Sequence, residues 1–351
     1  MRMLVCGQGA LDPRSTMRAH VVDSLRFIGH EVVASDPRRD DLDALTELLH
    51  RYQPEVLVNV PSPGGFTGRE IREATAQTST VALAMHLGTV DCDAPTDFRG
   101  LSDDLRDYDL VTVPDQWTHD AFLGEGSFRL GLVEPAVHTP ALVDAVLADR
   151  HGVVAVGDVC AENIDLVMSL TDAGLDVQVM GRGWAHIPLD RPALTPLAYP
   201  ERGTLFAGAE LVIELPATPE VCSSIGVSVY ETGCSQTVFD AAAVATATVT
   251  FERPGVHAFF EVGAEIVTYE RSSELPELIA MVCADPDLIA SVGEAACNRV
   301  AGGHRWTERW ASLFGHWGMK VDSDPGEDVR VIVERADAAT PQGRVPETVP
   351  V

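Results

Sequence analysis

The chain has 351 residues, of which 46% are hydrophobic, and its formal net charge is −28. This length suggests about two domains, and so acidic a balance disfavours nucleic acid and anionic membranes as partners. The sequence contains no apolar run of about 18 residues, so we expect no membrane span. The short apolar N-terminus is typical of a first strand and not of a signal peptide.

Two residue types limit the chemistry. Of the 25 basic residues, Lys320 alone is a lysine, so a bound diphosphate would be held by arginine, backbone N–H groups or helix dipoles. The seven cysteines are scattered and form no CxxC pair, which indicates reduced thiols in a cytoplasmic protein instead of a zinc site. The abundance of Ala, Val, Asp and Arg suggests a GC-rich bacterial genome.

In the first half, strands alternate with helices, and this alternation predicts a doubly wound parallel sheet. The predicted strands are residues 1–9, Glu31–Ala34, Glu55–Val60, Val81–Met85, Leu110–Val113 and Phe128–Val133. The predicted helices are Thr16–Ile28, Asp41–Tyr52, Gly68–Gln77 and Gln116–Leu123.

The second half restarts with a strand–helix–strand unit: strand Val153–Val156, helix Glu162–Asp172 and strand Asp176–Met180. Further strands are predicted at Leu211–Leu215, Ala247–Phe251 and Ile266–Tyr269, and helices at the segment after Asp285 and at His304–Trp317. The polar tail from Asp322 is expected to be poorly ordered, apart from a short strand at Val329–Val333.

Two glycine loops follow the strands of this unit. They contain Gly157 and Asp158, and Gly181, Arg182 and Gly183. Ligands bind at the carboxyl ends of such strands, near helix N-termini that favour anions. These loops are therefore candidates for anion binding, and ordinary turns are an equally weighted alternative.

A third candidate is the polar loop that leads into an Ala-rich helix through Ser235, Gln236 and Thr237. Hydroxyl and free N–H groups at a helix start suit phosphate or ribose. The alternative is a simple capped helix with Thr237 as its N-cap.

The first half offers weaker signals. Gly7 and Gly9 follow the first strand, and Asp36 ends the second, which is the arrangement of a dinucleotide site. The third glycine of that fingerprint is missing, because position 12 is Asp12. A glycine-lined loop facing an interdomain cleft is the preferred interpretation, and the loop of Gly64 and Gly65 is similar.

Polar side chains on the first helix and after the fourth strand are candidate bases. His20 lies off the apolar stripe of the first helix, where a solvated histidine is favoured over a general base. His86, Asp91 and Asp93 form a denser group at a strand end. Asp91 and Asp93 also resemble a metal-binding pair, although such pairs are common in so acidic a chain, and no metal site is predicted.

The segment 254–306 carries a recognisable pattern. The matching residues are Gly255, Phe259, Phe260, Gly263, Glu265, Ile266, Val267, Tyr269, Pro286, Gly293, His304 and Trp306. The segment resembles the carboxyl-terminal module of GT-B glycosyltransferases, in particular of the spore-maturation (CgeB-like) type. The glutamate that starts a helix in that family is Asp240 here, and the family's Cys-Gly falls at Val244 and Ala245. The family's preceding arginine is replaced by Gln236 and Thr237, so Arg182 or Arg253 would substitute.

The resemblance implies an α/β fold with two Rossmann-like domains facing a cleft and a C-terminal helix that crosses back to the first domain. The implied parts are an acceptor domain 1–140, a donor domain 141–303, a crossover helix 304–320 and a poorly ordered tail 321–351. A homodimer is left open.

The implied activity is a metal-independent glycosyltransferase in bacterial specialised metabolism. It would move a sugar from a nucleoside-diphosphate sugar, which is a co-substrate and not a cofactor, to a small-molecule acceptor. The loops with Gly157, Arg182 and Ser235–Thr237 would hold the diphosphate. Asp240 would bind the donor ribose. The loops with Gly9, Gly64 and Gly65 would face the acceptor.

An inverting enzyme would need a base from the first domain, for which Asp91, His86, Asp12 and His20 are the candidates in falling order; a retaining enzyme would need none. Two other classes stay open. One is an NAD-dependent oxidoreductase that uses Gly7, Gly9 and Asp36. The other is a non-catalytic GT-B relative that acts as a binding partner.

Overall fold

The computed structural model describes residues 1–13, 15–62, 64–85, 104–114, 116, 119, 129–138, 150–216, 233–317, 319–321 and 331–333. These residues form two compact units. The first unit comprises the described residues up to Pro135 together with those from Trp306 onward, and the second is Ala136–Arg305.

The first unit is built on a six-stranded parallel sheet with the strand order β2-β1-β3-β4-β5-β6. Its strands are β1 (Arg2–Cys6), β2 (Glu31–Ser35), β3 (Val56–Asn59), β4 (Val81–Met85), β5 (Leu110–Val113) and β6 (Leu130–Leu132). Strands β3 and β5 are buried along their whole length, as expected for apolar strands inside a parallel sheet.

The described helices of the first half are a π-helix (Arg18–Asp23) that continues as α1 (Ser24–Phe27), then α2 (Leu42–Tyr52) and α3 (Gly68–Thr75). Helix α2 begins after Asp41, whose side chain accepts a hydrogen bond from the Ala44 N–H. Helix α3 begins with a capping box between Thr67 and Glu70. The helix predicted at Gln116–Leu123 lies mostly outside the described residues.

The second unit is built on a five-stranded parallel sheet with the order β11-β10-β9-β7-β8. Its strands are β7 (Val153–Val156), β8 (Val177–Met180), β9 (Leu211–Glu214), β10 (Ala247–Phe251) and β11 (Val267–Tyr269). Its helices are α4 (Ala161–Asp172), α5 (Tyr199–Ala207), α6 (Gln236–Ala243), α7 (Pro254–Phe259), α8 (Leu275–Cys283) and α9 (Pro286–Ala301). One core cluster joins strands β7 to β11 to α4, α8 and α9.

Helix α10 (Trp306–His316) belongs to the first unit and packs on α1. The Trp310 side chain is fully buried, and its indole Nε1–H donates to Ser24 Oγ at 2.7 Å. Strands β12 (Met319–Val321) and β13 (Val331–Val333) pair antiparallel. Among the described residues, no helix combines the length and apolarity needed to cross a membrane.

The first helix differs from its prediction. His20 was expected on a solvated face, but its side chain is only 3% exposed and lies against the Trp306 ring, with 5.4 Å between centroids. The cause is the π-helical turn, whose i→i+5 bonds make it wider than an α-helical turn. A register counted at 3.6 residues per turn therefore assigns His20 to the wrong face.

Helices α5 and α8 had no counterpart in the prediction. The window of α5 contains Pro200 and Gly203, which lower helix propensity, although a proline in the first turn is tolerated. The window of α8 is mostly apolar, so it shows little amphipathic periodicity. Packing against the second sheet decides both elements.

Candidate functional site

The carboxyl ends of the five parallel strands of the second unit share one edge of its sheet, which we call the rim. The residues that follow these strands are Gly157, Gly181, Leu215, Glu252 and Glu270. In open α/β sheets, ligands bind at such an edge. The rim is therefore the first place to look for a site.

The two glycine loops pack directly against each other at the rim. The Gly157 N–H donates to the Met180 carbonyl at 3.0 Å, and the Trp184 indole donates to the Gly157 carbonyl at 2.8 Å. A Cβ atom on Gly181 would lie 1.9 Å from the Gly157 carbonyl oxygen, so no larger residue fits there. Close backbone packing thus accounts for both glycines without a ligand.

An ion pair joins the same two loops. Asp158 Oδ1 accepts the Arg182 backbone N–H at 2.8 Å, and Asp158 Oδ2 accepts from Arg182 Nε at 2.9 Å and lies 2.8 Å from Nη2. The two side chains are 48% and 46% exposed. Arg182 therefore reaches solvent at the rim, and a bound diphosphate would share it with Asp158.

The third candidate loop leads into α6. Ser235 has an extended backbone and occupies the N-cap position, so the sequence expectation that Thr237 is the cap is wrong. The Ser235 hydroxyl oxygen is buried and makes no hydrogen bond to any of the described residues. Gln236 Nε2 donates to the Ala136 carbonyl and to Asp240 Oδ1, each at 2.8 Å. At the start of α6, Ser235 and Thr237 are thus half-buried, and the Gln236 amide points into the unit.

Asp240, which the family resemblance assigns to the donor ribose, is buried in the structure. Its carboxylate is fully buried, lies 2.7 Å from Arg202 Nη2, and accepts hydrogen bonds from Gln236 and Tyr199. The Tyr199 oxygen in turn accepts the His138 N–H at 3.1 Å. Burial raises the pKa of Asp240, although Arg202 opposes this. The Asp240 carboxylate thus belongs to a buried hydrogen-bond network and is not accessible from solvent.

Arg253 is also bound by other side chains of the second unit. Its guanidinium is buried, contacts the Glu214 carboxylate and donates to Thr250 Oγ1 at 2.9 Å. Glu214 also contacts Thr250 Oγ1, and its carbonyl accepts the Tyr269 hydroxyl at 2.9 Å. This cluster joins the ends of β9, β10 and β11, so Arg253 holds the rim together.

In the first unit, the predicted acceptor loops lie side by side at the carboxyl ends of β1 and β3. A Cβ atom on Gly64 would lie 4.0 Å from the Gln8 side-chain nitrogen. Gly9 has φ +86°, a conformation that L-residues rarely adopt. The structure thus brings Gly9, Gly64 and Gly65 to one sheet edge.

Asp36, the acidic residue of the alternative dinucleotide site, already has hydrogen-bond partners within the fold. Asp36 accepts the Gly9 N–H at 3.0 Å, the Arg38 N–H at 3.0 Å and two bonds from the Arg38 guanidinium, at 3.0 and 2.7 Å. The Arg38 side-chain bonds lower the pKa of Asp36 to about 2. Both oxygens therefore fix the loop, and none is left for the ribose that an NAD site requires.

Of the four candidate bases, two can be placed. Asp12 lies in the loop after β1, where its carbonyl accepts the Ser15 N–H. His20 is buried on the Trp306 ring, so it is a poor candidate for proton transfer. His86 and Asp91, like Asp93, lie outside the described residues. Within the described ranges, no three His, Cys, Asp or Glu side chains are grouped to hold a metal ion.

A match to a family model covers part of this architecture. The model is described as glycosyl transferase-like and matches residues 164–315, which include the rim loop of Arg182 and the start of α6. No curated protein matches the chain.

Solved structures match nearly the whole chain. Anabaena Alr3699/HepE in complex with UDP and glucose is 12% identical, with a TM-score of 0.64 over 90% of this chain and 100% of that chain. Sucrose-phosphate synthase from Thermosynechococcus elongatus is 10% identical, with a TM-score of 0.60 over 90% and 98%. The chain has a GT-B fold. The predicted fold class, two Rossmann-like parallel sheets, is confirmed.

The GT-B fold alone does not decide the reaction. UDP-GlcNAc 2-epimerase from Neisseria meningitidis, bound to UDP-GlcNAc, also matches, with 9% identity and a TM-score of 0.53 over 90% of this chain and 99% of that chain. At such low identity, the similarity establishes architecture, and function must be argued from the site.

One pair of rim residues was missed by the sequence analysis. Glu252 follows β10, and His257 lies five residues later on α7; their side chains are in contact. The sequence does contain a signal for this pair, because an acidic residue at the end of a predicted strand is followed by a histidine five residues later. It was overlooked because the segment was interpreted through its glycine and aromatic pattern.

The second unit also contains a cavity of about 230 Å³ away from the rim. It lies between α4 and β8, is lined by Val167, Val177 and Leu189, and is flanked by the Asp176–Arg191 ion pair. Asp176 precedes β8, so this cavity is at the amino end of the strand. Since ligands of α/β sheets bind at the other edge, we assign it no role.

Proposed function

We propose that this protein is a glycosyltransferase that takes a sugar, of hexose type, from a UDP-sugar. The single observation that carries the proposal is the glycosyl transferase-like match over residues 164–315, which spans most of the second unit. The GT-B fold agrees with it, and Alr3699/HepE, which shares this fold, is known in complex with UDP-glucose. UDP-glucose is therefore the first donor to test.

In this proposal, the rim of the second unit holds the diphosphate. Backbone N–H groups at the start of α6, beside Ser235 and Thr237, carry the partial positive charge of a helix N-terminus. Arg182 adds a half-exposed guanidinium. These groups would stabilise the negative charge that develops on the diphosphate as its bond to the anomeric carbon breaks, without a metal ion.

The acceptor would bind to the first unit, along the loops with Gly9, Gly64 and Gly65. We propose a small molecule of bacterial specialised metabolism, in a cytoplasmic enzyme related to the spore-maturation type. If the reaction inverts the anomeric centre, Asp91, His86 and Asp12 remain the candidate bases. The burial of His20 places it last.

The test is calorimetry with a panel of nucleoside diphosphates, followed by replacement of Arg182. We expect UDP to bind and Arg182→Ala to weaken its binding by about 1.5–3 kcal/mol, the range for a hydrogen bond to a charged group. Arg191→Ala is the matched control. The Arg191–Asp176 pair has similar exposure, 52% and 47%, but lies at the opposite end of β8.

Two results would contradict the proposal in different ways. If the wild type bound no nucleoside diphosphate, the donor site itself would be wrong. If UDP bound and Arg182→Ala had the affinity of Arg191→Ala, the donor site would stand without Arg182. Transfer is measured separately, as acceptor-dependent release of UDP from UDP-glucose.

A second candidate function is a GT-B relative that binds a nucleotide without transferring a sugar. The observation that favours it is that rim arginines are already paired: Arg182 with Asp158 and Arg253 with Glu214. Asp240 is sealed inside the unit. Such a protein would bind UDP in the calorimeter but would release no UDP from UDP-glucose with any acceptor offered.

A further inference from the structure

The Glu252–His257 pair is an oriented carboxylate–imidazole dyad at the rim. His257 Nε2 contacts Glu252 Oε1, and the Thr268 hydroxyl donates to the same carboxylate. Burial alone would raise the pKa of Glu252, but the hydrogen bonds from Thr268 and His257 outweigh it and hold the pKa below its usual range. Glu252 is thus kept as an anion that fixes the imidazole ring.

The His257 ring is open to solvent. The His257 side chain is 55% exposed, and none of the described residues bonds its Nδ1. A carboxylate that engages one ring nitrogen fixes the direction in which the ring points. The dyad therefore contains an oriented ring whose Nδ1 is not bonded by any of the described residues.

The charge distribution of the rim indicates what this group would bind. The guanidinium groups of Arg182, Arg253 and Arg271 pair with Asp158, Glu214 and Glu274. In the imidazolium form both ring nitrogens are donors, so a ring whose Nε2 faces the Glu252 carboxylate can donate from Nδ1 to a second anion. His257 can therefore donate a hydrogen bond to a phosphate group.

We propose that His257, positioned by Glu252, donates its Nδ1–H to the diphosphate of the donor nucleotide. This inference rests on the proposed function, because it assumes that the rim holds a nucleoside diphosphate. The contact strengthens as charge develops on the departing diphosphate, so it would favour the transition state over the bound donor. Glu252 is a positioning residue, and His257 is the binding residue.

The test compares UDP, pyrophosphate and uridine as ligands of the full chain. We expect His257→Ala to weaken the binding of UDP and of pyrophosphate about tenfold and to leave uridine unchanged, since a charge-assisted hydrogen bond to phosphate is lost. His151→Gln is the control, because His151 is exposed but precedes β7, at the opposite edge of the same sheet. It should bind all three ligands as the wild type does.

Imidazole nitrogen resonances supply a second measurement. In the wild type, UDP should shift the Nδ1 resonance of His257, and in Glu252→Gln the ring resonances should differ before any ligand is added. A merely structural pair would show no UDP-dependent shift. Glu252→Gln should also weaken UDP binding, by less than His257→Ala.

The outcomes separate this inference from the proposed function. A wild type that binds none of the diphosphates overturns the proposed function, and this inference with it. If the wild type binds UDP while His257→Ala binds it equally well, only the inference is overturned. The same holds if UDP leaves the His257 nitrogen resonances in place.

Discussion

Ala245 adopts a backbone conformation that usually requires glycine. Its φ is +56°, and it follows the last turn of α6, where the resembling family has a glycine. The left-handed conformation costs an L-residue about 1–2 kcal/mol. The surrounding structure holds it in place, because Arg150 Nη1 donates to the Ala245 carbonyl at 2.7 Å.

Ala245→Gly should therefore raise the free energy of unfolding by about 0.5–1 kcal/mol, which is the relief of strain less the entropy that glycine adds to the unfolded chain. Urea denaturation measures it. Ala280→Gly is the matched control, because Ala280 is exposed inside α8 and the change there should destabilise by about 0.5–1 kcal/mol. If both variants lost stability equally, Ala245 would not be strained.

His30 makes stability depend on pH. The side chain is 5% exposed and lies 5.6 Å from the Phe314 ring between centroids. In the part of the chain that the structure describes, neither ring nitrogen has a hydrogen-bond partner. Burial, helped by the charge of the N-terminal amino group, lowers the pKa of His30 to about 4. The folded state keeps the ring neutral, whereas the unfolded chain binds a proton below about pH 6.5.

The stabilisation is thus complete above about pH 6.5 and is lost as the pH falls toward about 4. Between about pH 7.5 and pH 5, His30 should cost about 2 kcal/mol of unfolding free energy. His30→Phe should remove that part of the pH dependence in denaturant titrations at both pH values. His50→Gln, which replaces an exposed histidine, should keep it; an unchanged pH dependence in His30→Phe would refute the assignment.

At the scale of elements, a buried ion pair joins α5 to α6. Arg202 of α5 lies 2.7 Å from the fully buried Asp240 of α6 and 5.2 Å from the centroid of the Tyr199 ring. Removing one partner of such a pair leaves an uncompensated charge. Arg202→Met should therefore lower the free energy of unfolding by about 3–5 kcal/mol in urea titrations.

The matched control replaces both partners. The double variant Arg202→Met with Asp240→Leu should recover most of the loss, because no buried charge is left unpaired. A loss below about 1 kcal/mol in Arg202→Met alone would mean that Asp240 is protonated or solvated in the native state. The pair would then not hold α5 on α6.

The elements could be predicted where one local pattern decided them. Strands β4, β5, β7 and β10 have the predicted bounds, because apolar runs flanked by turn residues identify buried parallel strands. The loops of Gly157 and Gly181 could be assigned to one edge for the same reason. The π-helical turn around His20 and helix α5 could not, since bond register and tertiary packing override the 3.6-residue pattern.

At the scale of the whole molecule, the net charge of −28 dominates. Like charges on a compact chain repel one another, and this self-repulsion destabilises the folded state. The Debye length falls from about 10 Å at 0.1 M salt to about 3 Å at 1 M. Raising KCl over this range should therefore increase the free energy of unfolding.

Urea titrations at several KCl concentrations measure this dependence. Sorbitol at matched osmolarity is the control for non-ionic solvent effects and should give a smaller increase per mole. A free energy of unfolding that falls with KCl would show that ion pairs such as Arg182–Asp158 and Arg38–Asp36 outweigh the general repulsion.

The sequence by itself determined the alternation of strands and helices, the parallel sheets and the loops at their carboxyl ends, because these depend on short-range hydrophobic patterns. Only the tertiary structure decided which charges are available. Asp240 and Arg253 looked free for a ligand, yet each is paired with a side chain distant in sequence. Asp36 is held by the nearby Arg38, but only the fold buries it and brings the Gly9 N–H to it. The sequence around a carboxylate or guanidinium group does not indicate which distant partner folding will bring to it. The apolar composition of a buried strand, by contrast, indicates directly that the strand is buried.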